Sequence, residues 1–93
     1  MGTVTIDCSG VLSEAEFWSR YVAATSPADK ELFGQNLDAF WDAVEGGGPG
    51  WPGDFALVFK NTATLAPLRA GYFLTTLKRI ASEATMTSIT IIP

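Results

Sequence analysis

Phe55 to Phe59 reads F-A-L-V-F, an unbroken apolar run at strand length. A half-exposed strand would alternate apolar and polar residues. A continuous run fits a strand covered on both faces, as in a parallel sheet, and predicts that this strand lies at the centre. Just before it, Pro49 to Asp54 reads P-G-W-P-G-D, whose Gly and Pro punctuation marks an exposed loop. Trp51 in that loop has two readings, a lid packed on the core or a residue at a binding rim. Just after the strand, Asn61 to Ala70 carries the cap-like residues Thr62 and Thr64 and a Pro67 suited to a first helical turn, and it fits a short helix or a turn. Beyond it Phe73, Leu77, Ile80 and Ala84 recur at helical spacing, so Tyr72 to Ala84 is expected as a helix with Lys78, Arg79, Ser82 and Glu83 facing away. Ser88 to Ile92, S-I-T-I-I, reads as a further strand.

Upstream, Thr3 to Cys8 places Val4, Ile6 and Cys8 in alternation with Thr3, Thr5 and Asp7, a strand pattern bounded by Ser9 and Gly10. Ser13 and Glu16 form an S-x-x-E capping box, and Leu12 and Phe17 occupy the positions of a hydrophobic staple. A helix opens there with Phe17, Trp18, Tyr21, Val22 and Ala24 on its buried side. It ends at Ser26-Pro27, because a residue before proline avoids the helical region. Three strands separated by long helix-bearing connections pair in parallel through right-handed crossovers. The expected fold is therefore α/β, in the order β-α-α-β-(α)-α-β, with a three-stranded parallel sheet packed with three to four helices. One domain over residues 1–93 accounts for the whole length.

Between the first helix and the central strand lies Leu32 to Gly48, L-F-G-Q-N-L-D-A-F-W-D-A-V-E-G-G-G. Asn36 is placed to cap a helix that Leu37 begins, since its side-chain oxygen accepts from a free amide of the next turn. Gly34 loosens the chain before it, and Gly46 is expected to take the left-handed conformation that ends it. At about 100° per residue, Leu37, Phe40, Trp41 and Val44 share the side that faces the core, while Asp38, Asp42 and Glu45 share an adjoining side. Asp38 and Asp42 are four apart, and such like-charge pairs cost an isolated helix about 0.2 to 0.5 kcal/mol. Asp38 gains from the helix dipole in the first turn; Asp42 and Glu45 lie toward the unfavourable end. Either this is a solvated acidic face, as most charged helix faces are, or it is kept for a cationic partner.

Composition narrows the choice. The chain has no histidine, which excludes a His-based triad, a His general base and a His-containing zinc site. Six basic residues against ten acidic ones give a net charge of −4, which disfavours nucleic acid and suits a basic protein partner. Cys8 is the sole cysteine, read as a small core residue and consistent with a reducing compartment. No apolar run approaches the roughly 18 residues of a membrane span, and M-G-T-V-T-I shows no secretory pattern, so a cytoplasmic protein is expected. Asp38 and Asp42 stand on a convex helix face and lack the cleft that would make them an acid and base pair, so no catalytic activity is expected. D-x-x-x-D with Glu45 also lacks the looped oxygen pattern of calcium sites, so neither a metal nor another cofactor is expected.

N-L-D-A-F-W-D at Asn36 to Asp42, preceded by Phe33 and Gly34 and followed by Gly46, resembles the signature of the barstar family. Barstar-type proteins are intracellular inhibitors of barnase-like, guanyl-preferring ribonucleases, and their layout, a three-stranded parallel sheet with helices against it, is similar to the one derived above. The resemblance implies that the acidic helix and the loop before it plug a ribonuclease active site, with carboxylates in place of the substrate phosphate. Asp38 and Asp42 match the two aspartates of the motif. Leu32, Phe33, Gly34, Asn36 and Trp41 are implied contacts on the loop and helix, with Glu45, Gly46 and Trp51 at the far end.

The chain departs from the family pattern at three places. Leu32 stands where the family usually has the first of two aromatics, and Gly47 stands where it has an aromatic after the helix glycine, with Trp51 displaced by an insertion. The family's extra carboxylate on the last long helix falls within Lys78 to Ala81, where this chain has none, and Glu83 is the nearest acid. The implied function is inhibition of a basic, barnase-like ribonuclease by a protein that is monomeric when free. The alternative is an immunity protein for a different toxin with a basic active site.

Overall fold

The structure, a computed structural model, describes residues 2–93. The strands are β1 (Gly2–Asp7), β2 (Phe55–Lys60) and β3 (Ile89–Ile91), and the helices are α1 (Glu14–Thr25), α2 (Leu37–Gly46) and α3 (Tyr72–Glu83). The strands form one parallel sheet in the order β1-β2-β3, with Val4 opposite Leu57 and Leu57 opposite Ile89. The central place of Phe55 to Phe59 follows the sequence reading. Asn61 to Ala70 holds one 3-10 turn, Thr62–Leu65, followed by a kinked stretch in which Arg69 and Ala70 take the left-handed conformation at φ 49° and 54°, with no α-helix.

The expectation that β2 is covered on both faces is corrected. Leu57 and Phe59 are buried, whereas Ala56 and Val58, on the other face, are only half-buried, beside exposed Thr3, Thr5 and Thr90. The reason is topological. Both crossovers advance in the same direction along the sheet, and connections of one hand then lay every helix on one side. Val58 and Ala56 stay apolar on a face that no helix reaches.

On the covered side, Ile6, Leu57 and Phe59 meet Phe17, Trp18 and Tyr21 of α1, Phe40 and Val44 of α2, and Phe73, Leu77 and Ile80 of α3 in one core. Rings make up much of it. Phe17 stacks on Phe59 with centroids 5.4 Å apart, and Trp18 meets Phe17 edge-on at 4.8 Å and Phe40 at 5.5 Å. Such pairs add about 0.5 to 1.5 kcal/mol each beyond the area they bury. The Trp18 Nε1–H is buried with no acceptor among the described residues. Cys8 is fully buried, as expected of a core thiol, and burial pushes its pKa up to about 11.

The start of α1 shows half of what the sequence predicts. Ser13 Oγ accepts from Glu16 N at 3.2 Å, but the Glu16 carboxylate reaches Leu12 N, also at 3.2 Å, and not Ser13. The staple between Leu12 and Phe17 does not form, because Leu12 is 83% exposed. Val11 takes the inward position instead, carried there by a turn in which its N–H donates to Cys8 O at 3.1 Å. Asp7 closes the C-terminal end of β1. It accepts from Asn61 Nδ2 at 2.8 Å and from Ser9 N at 2.9 Å, and these bonds, the Asn61 one foremost, hold its carboxyl down at about 2.

Candidate partner-binding face

α2 is fixed at both ends by local chemistry. Asn36 has extended backbone at φ −146°, and its side-chain oxygen accepts from Ala39 N at 2.8 Å. Its amide donates back to Gly34 O at 3.2 Å, which folds the preceding loop against the helix start. A Cβ on Gly34 would sit 3.2 Å from Ala39 Cβ, so a side chain there would press on the helix start. At the other end the helix runs through Gly46, and Gly47, at φ 72°, makes the left-handed turn expected of Gly46. The shift by one residue lets Gly47 N and Gly48 N both return to the carbonyls of the last turn, satisfying groups a helix end leaves open.

Leu37, Phe40, Ala43 and Val44 are buried, Trp41 is half-buried, and Asp38 and Asp42 are exposed. Among the described residues the only ion pairs are Arg20 with Glu16 and Arg69 with Glu14, so neither aspartate has an internal cation. Their side chains also accept no hydrogen bond from the described protein groups. The two carboxylates stand one turn apart on an anchored helix with their acceptor capacity unused.

Other expected contacts are placed differently. Phe33, expected to touch a partner, is 5% exposed and belongs to the core, its ring 5.6 Å from that of Trp18 and 5.7 Å from that of Tyr21. Leu32, one residue earlier, ends a 3-10 turn (Lys30–Leu32) and is 70% exposed. A turn this tight points successive residues in very different directions, which separates the pair. Glu45, also among the expected contacts, is partly exposed and engaged within the chain. Its carboxylate accepts from Thr85 N and Thr85 Oγ1, each at 2.8 Å, and from Met86 N at 3.0 Å. These bonds, the Met86 one foremost, lower its pKa and assign Glu45 to joining α2 to the segment before β3. Thr87 Oγ1 donates to Val44 O at 2.8 Å and strengthens the same joint.

Trp51 is half-buried, between its two sequence readings. Its loop is tied to the turn after α1: Gly50 N donates to Ala28 O at 3.0 Å, Ala28 N donates to Trp51 O at 3.3 Å, and the buried Tyr21 hydroxyl donates to Gly50 O at 2.7 Å. Gly50 has φ +94°, and a Cβ there would run into the Phe33 ring. Phe33 and the tryptophan loop thus brace each other beneath the segment that leads into α2.

One part of this surface is not marked as a contact by the sequence. α2 and α3 enclose a cleft of about 400 Å³ lined by Leu37, Asp38 and Trp41 on one wall and by Thr76, Arg79, Ile80 and Glu83 on the other. A smaller recess continues past Asn36 toward Tyr72 and Arg69. Helical spacing shows Arg79 only as facing away from the core. That it faces Asp38 depends on how two helices far apart in sequence pack.

The fold is that of a known inhibitor class. The family model for barstar, described as barnase inhibitor, matches residues 1–89, and the chain belongs to the barstar family. Members of that family are inhibitors and not enzymes. No curated protein matches the chain.

Proposed function

We propose that this protein inhibits a barnase-type, guanyl-preferring ribonuclease by laying the exposed face of α2, with Leu32 and Gly34 before it, over the enzyme's active site. The observation that carries this reading is the pair of exposed carboxylates, Asp38 and Asp42, without internal partners on a helix capped at both ends. A ribonuclease gathers cationic side chains to stabilise the charge that builds up on phosphate. A fixed carboxylate in that position accepts several charge-assisted hydrogen bonds. Because the helix is set before contact, little conformational freedom is lost on docking. Trp41, half-buried between Asp38 and Asp42, is the aromatic edge of the contact. The protein acts as a monomer in a reducing cytoplasm, which accords with its single, buried thiol. Leu32 and Gly47, where the family pattern has aromatics, favour a target that differs in detail from barnase; an unrelated toxin with a basic active site is the second reading.

The test is inhibition of RNA cleavage by purified guanyl-preferring ribonucleases, with melting measured alongside. Asp42→Ala should melt within roughly 0.5 kcal/mol of the parent, as surface changes usually do. Its binding should weaken by about 2 to 5 kcal/mol, the usual cost of truncating one partner of a buried charge pair, because the enzyme's cations are left buried without their anion. Asp38→Ala should weaken binding less, since that carboxylate already lies in the favourable field of its own helix start. Full inhibition by Asp42→Ala would refute this assignment of the face.

A further inference from the structure

Arg79 stands on the α3 wall of the cleft, across from Asp38, and it lines both the main cleft and the recess toward Tyr72. It is exposed, and among the described residues its guanidinium makes no ion pair and no hydrogen bond. Tyr72, Thr76, Arg79 and Glu83 follow one another at helical spacing and border α2 along its acidic side. An arginine whose role was internal would be paired with Asp38 of α2 or with Glu83, one turn further on along α3. Arg79 is paired with neither. Its presence also works against the contact proposed above, because a uniformly basic enzyme surface would be repelled by a cation beside Asp38.

We infer that Arg79 is a specificity contact of the same interface, and that the target enzyme carries a carboxylate at the rim of its basic active site, opposite α3. This inference rests on the ribonuclease-inhibitor reading and adds the charge pattern of the partner: cations facing Asp38 and Asp42, and an anion facing Arg79. The guanidinium fork matches a carboxylate in two parallel hydrogen bonds, a geometry lysine does not provide. The same side chain rejects enzymes that lack the anion, since like charges brought together at an interface cost several kcal/mol. Discrimination among related ribonucleases then comes from α3, while α2 supplies the affinity they have in common.

Arg79→Gln, Arg79→Glu and Asp42→Ala are titrated with the parent protein against purified guanyl-preferring ribonucleases at low and at high salt, with melting checked for each. For the enzyme the parent inhibits most tightly, Arg79→Glu is expected to weaken inhibition about tenfold or more and Arg79→Gln by less, with both differences shrinking at high salt. Replacing the facing acid of that enzyme by lysine should restore inhibition by Arg79→Glu. Equal or tighter inhibition by Arg79→Glu, with Asp42→Ala still impaired, overturns this inference and leaves the inhibitor reading in place. No inhibition of any of these enzymes by the parent protein overturns both.

Discussion

Leu32 and Phe33 are chain neighbours with opposite fates. Phe33 is packed among Trp18, Tyr21 and the face of Gly50, and Leu32 stands in solvent. Phe33→Ala should therefore cost about 3 to 5 kcal/mol of stability, read as a large drop in melting temperature. Leu32→Ala should melt within about 0.5 kcal/mol of the parent and weaken inhibition alone. A stable Phe33→Ala protein would mean that the loop does not rest on the core as described. From the sequence both residues look like contacts, because an aromatic before the glycine of the motif gives no sign of which way it points. The phase of a single 3-10 turn decides that, and no local pattern encodes it. Asp38 and Asp42 are legible for the opposite reason: their exposure follows from helical spacing against Leu37, Phe40 and Val44.

At the scale of the element, α2 shows where local reading stops. Its start is written in Asn36, whose cap needs only the next three residues. Its end involves Thr85, Met86 and Thr87, and no spacing rule links Glu45 to residues 40 or more positions downstream. The joint has a pH signature. The hydrogen bonds lower the pKa of Glu45 in the folded state, so the folded protein binds this proton less readily than the unfolded chain does. Its contribution to stability is complete above the ordinary glutamate value of about 4.3 and is lost as the pH falls through the lower, folded value. Glu45→Gln should melt below the parent at pH 7 and lose less of its melting temperature between pH 5 and pH 3. Identical acid sensitivity in the two proteins would show that this carboxylate does not hold the joint.

Across the whole molecule, the parallel order, the central β2 and the three helices can be inferred from apolar periodicity and connection length. The bare face of the sheet cannot, because F-A-L-V-F looks the same whether one side or both are covered. What decides it is the direction in which successive crossovers advance, a property of the assembled chain. Charge also acts at this scale. With a net charge of −4 and Asp38 and Asp42 unpaired, encounter with a basic enzyme should be steered, and association should slow steeply as salt rises. The Debye length shrinks from about 10 Å at 0.1 M to about 3 Å at 1 M over that range. A stopped-flow association rate unchanged by salt would exclude steering by this face.

The register of the sheet also bears on how the protein acquires its working form. Gly2 pairs with Phe55 and Leu57 with Ile89, so neither strand pairing can begin as a hairpin, and each waits on the closure of a long loop. α2, ten residues long, is too short to be firmly helical on its cap alone. It is held in place only when the segment at Thr85 to Thr87 arrives beneath its far end. The acidic helix therefore cannot be aimed until the last segment of the chain is in place, and competence to bind depends on the final strand.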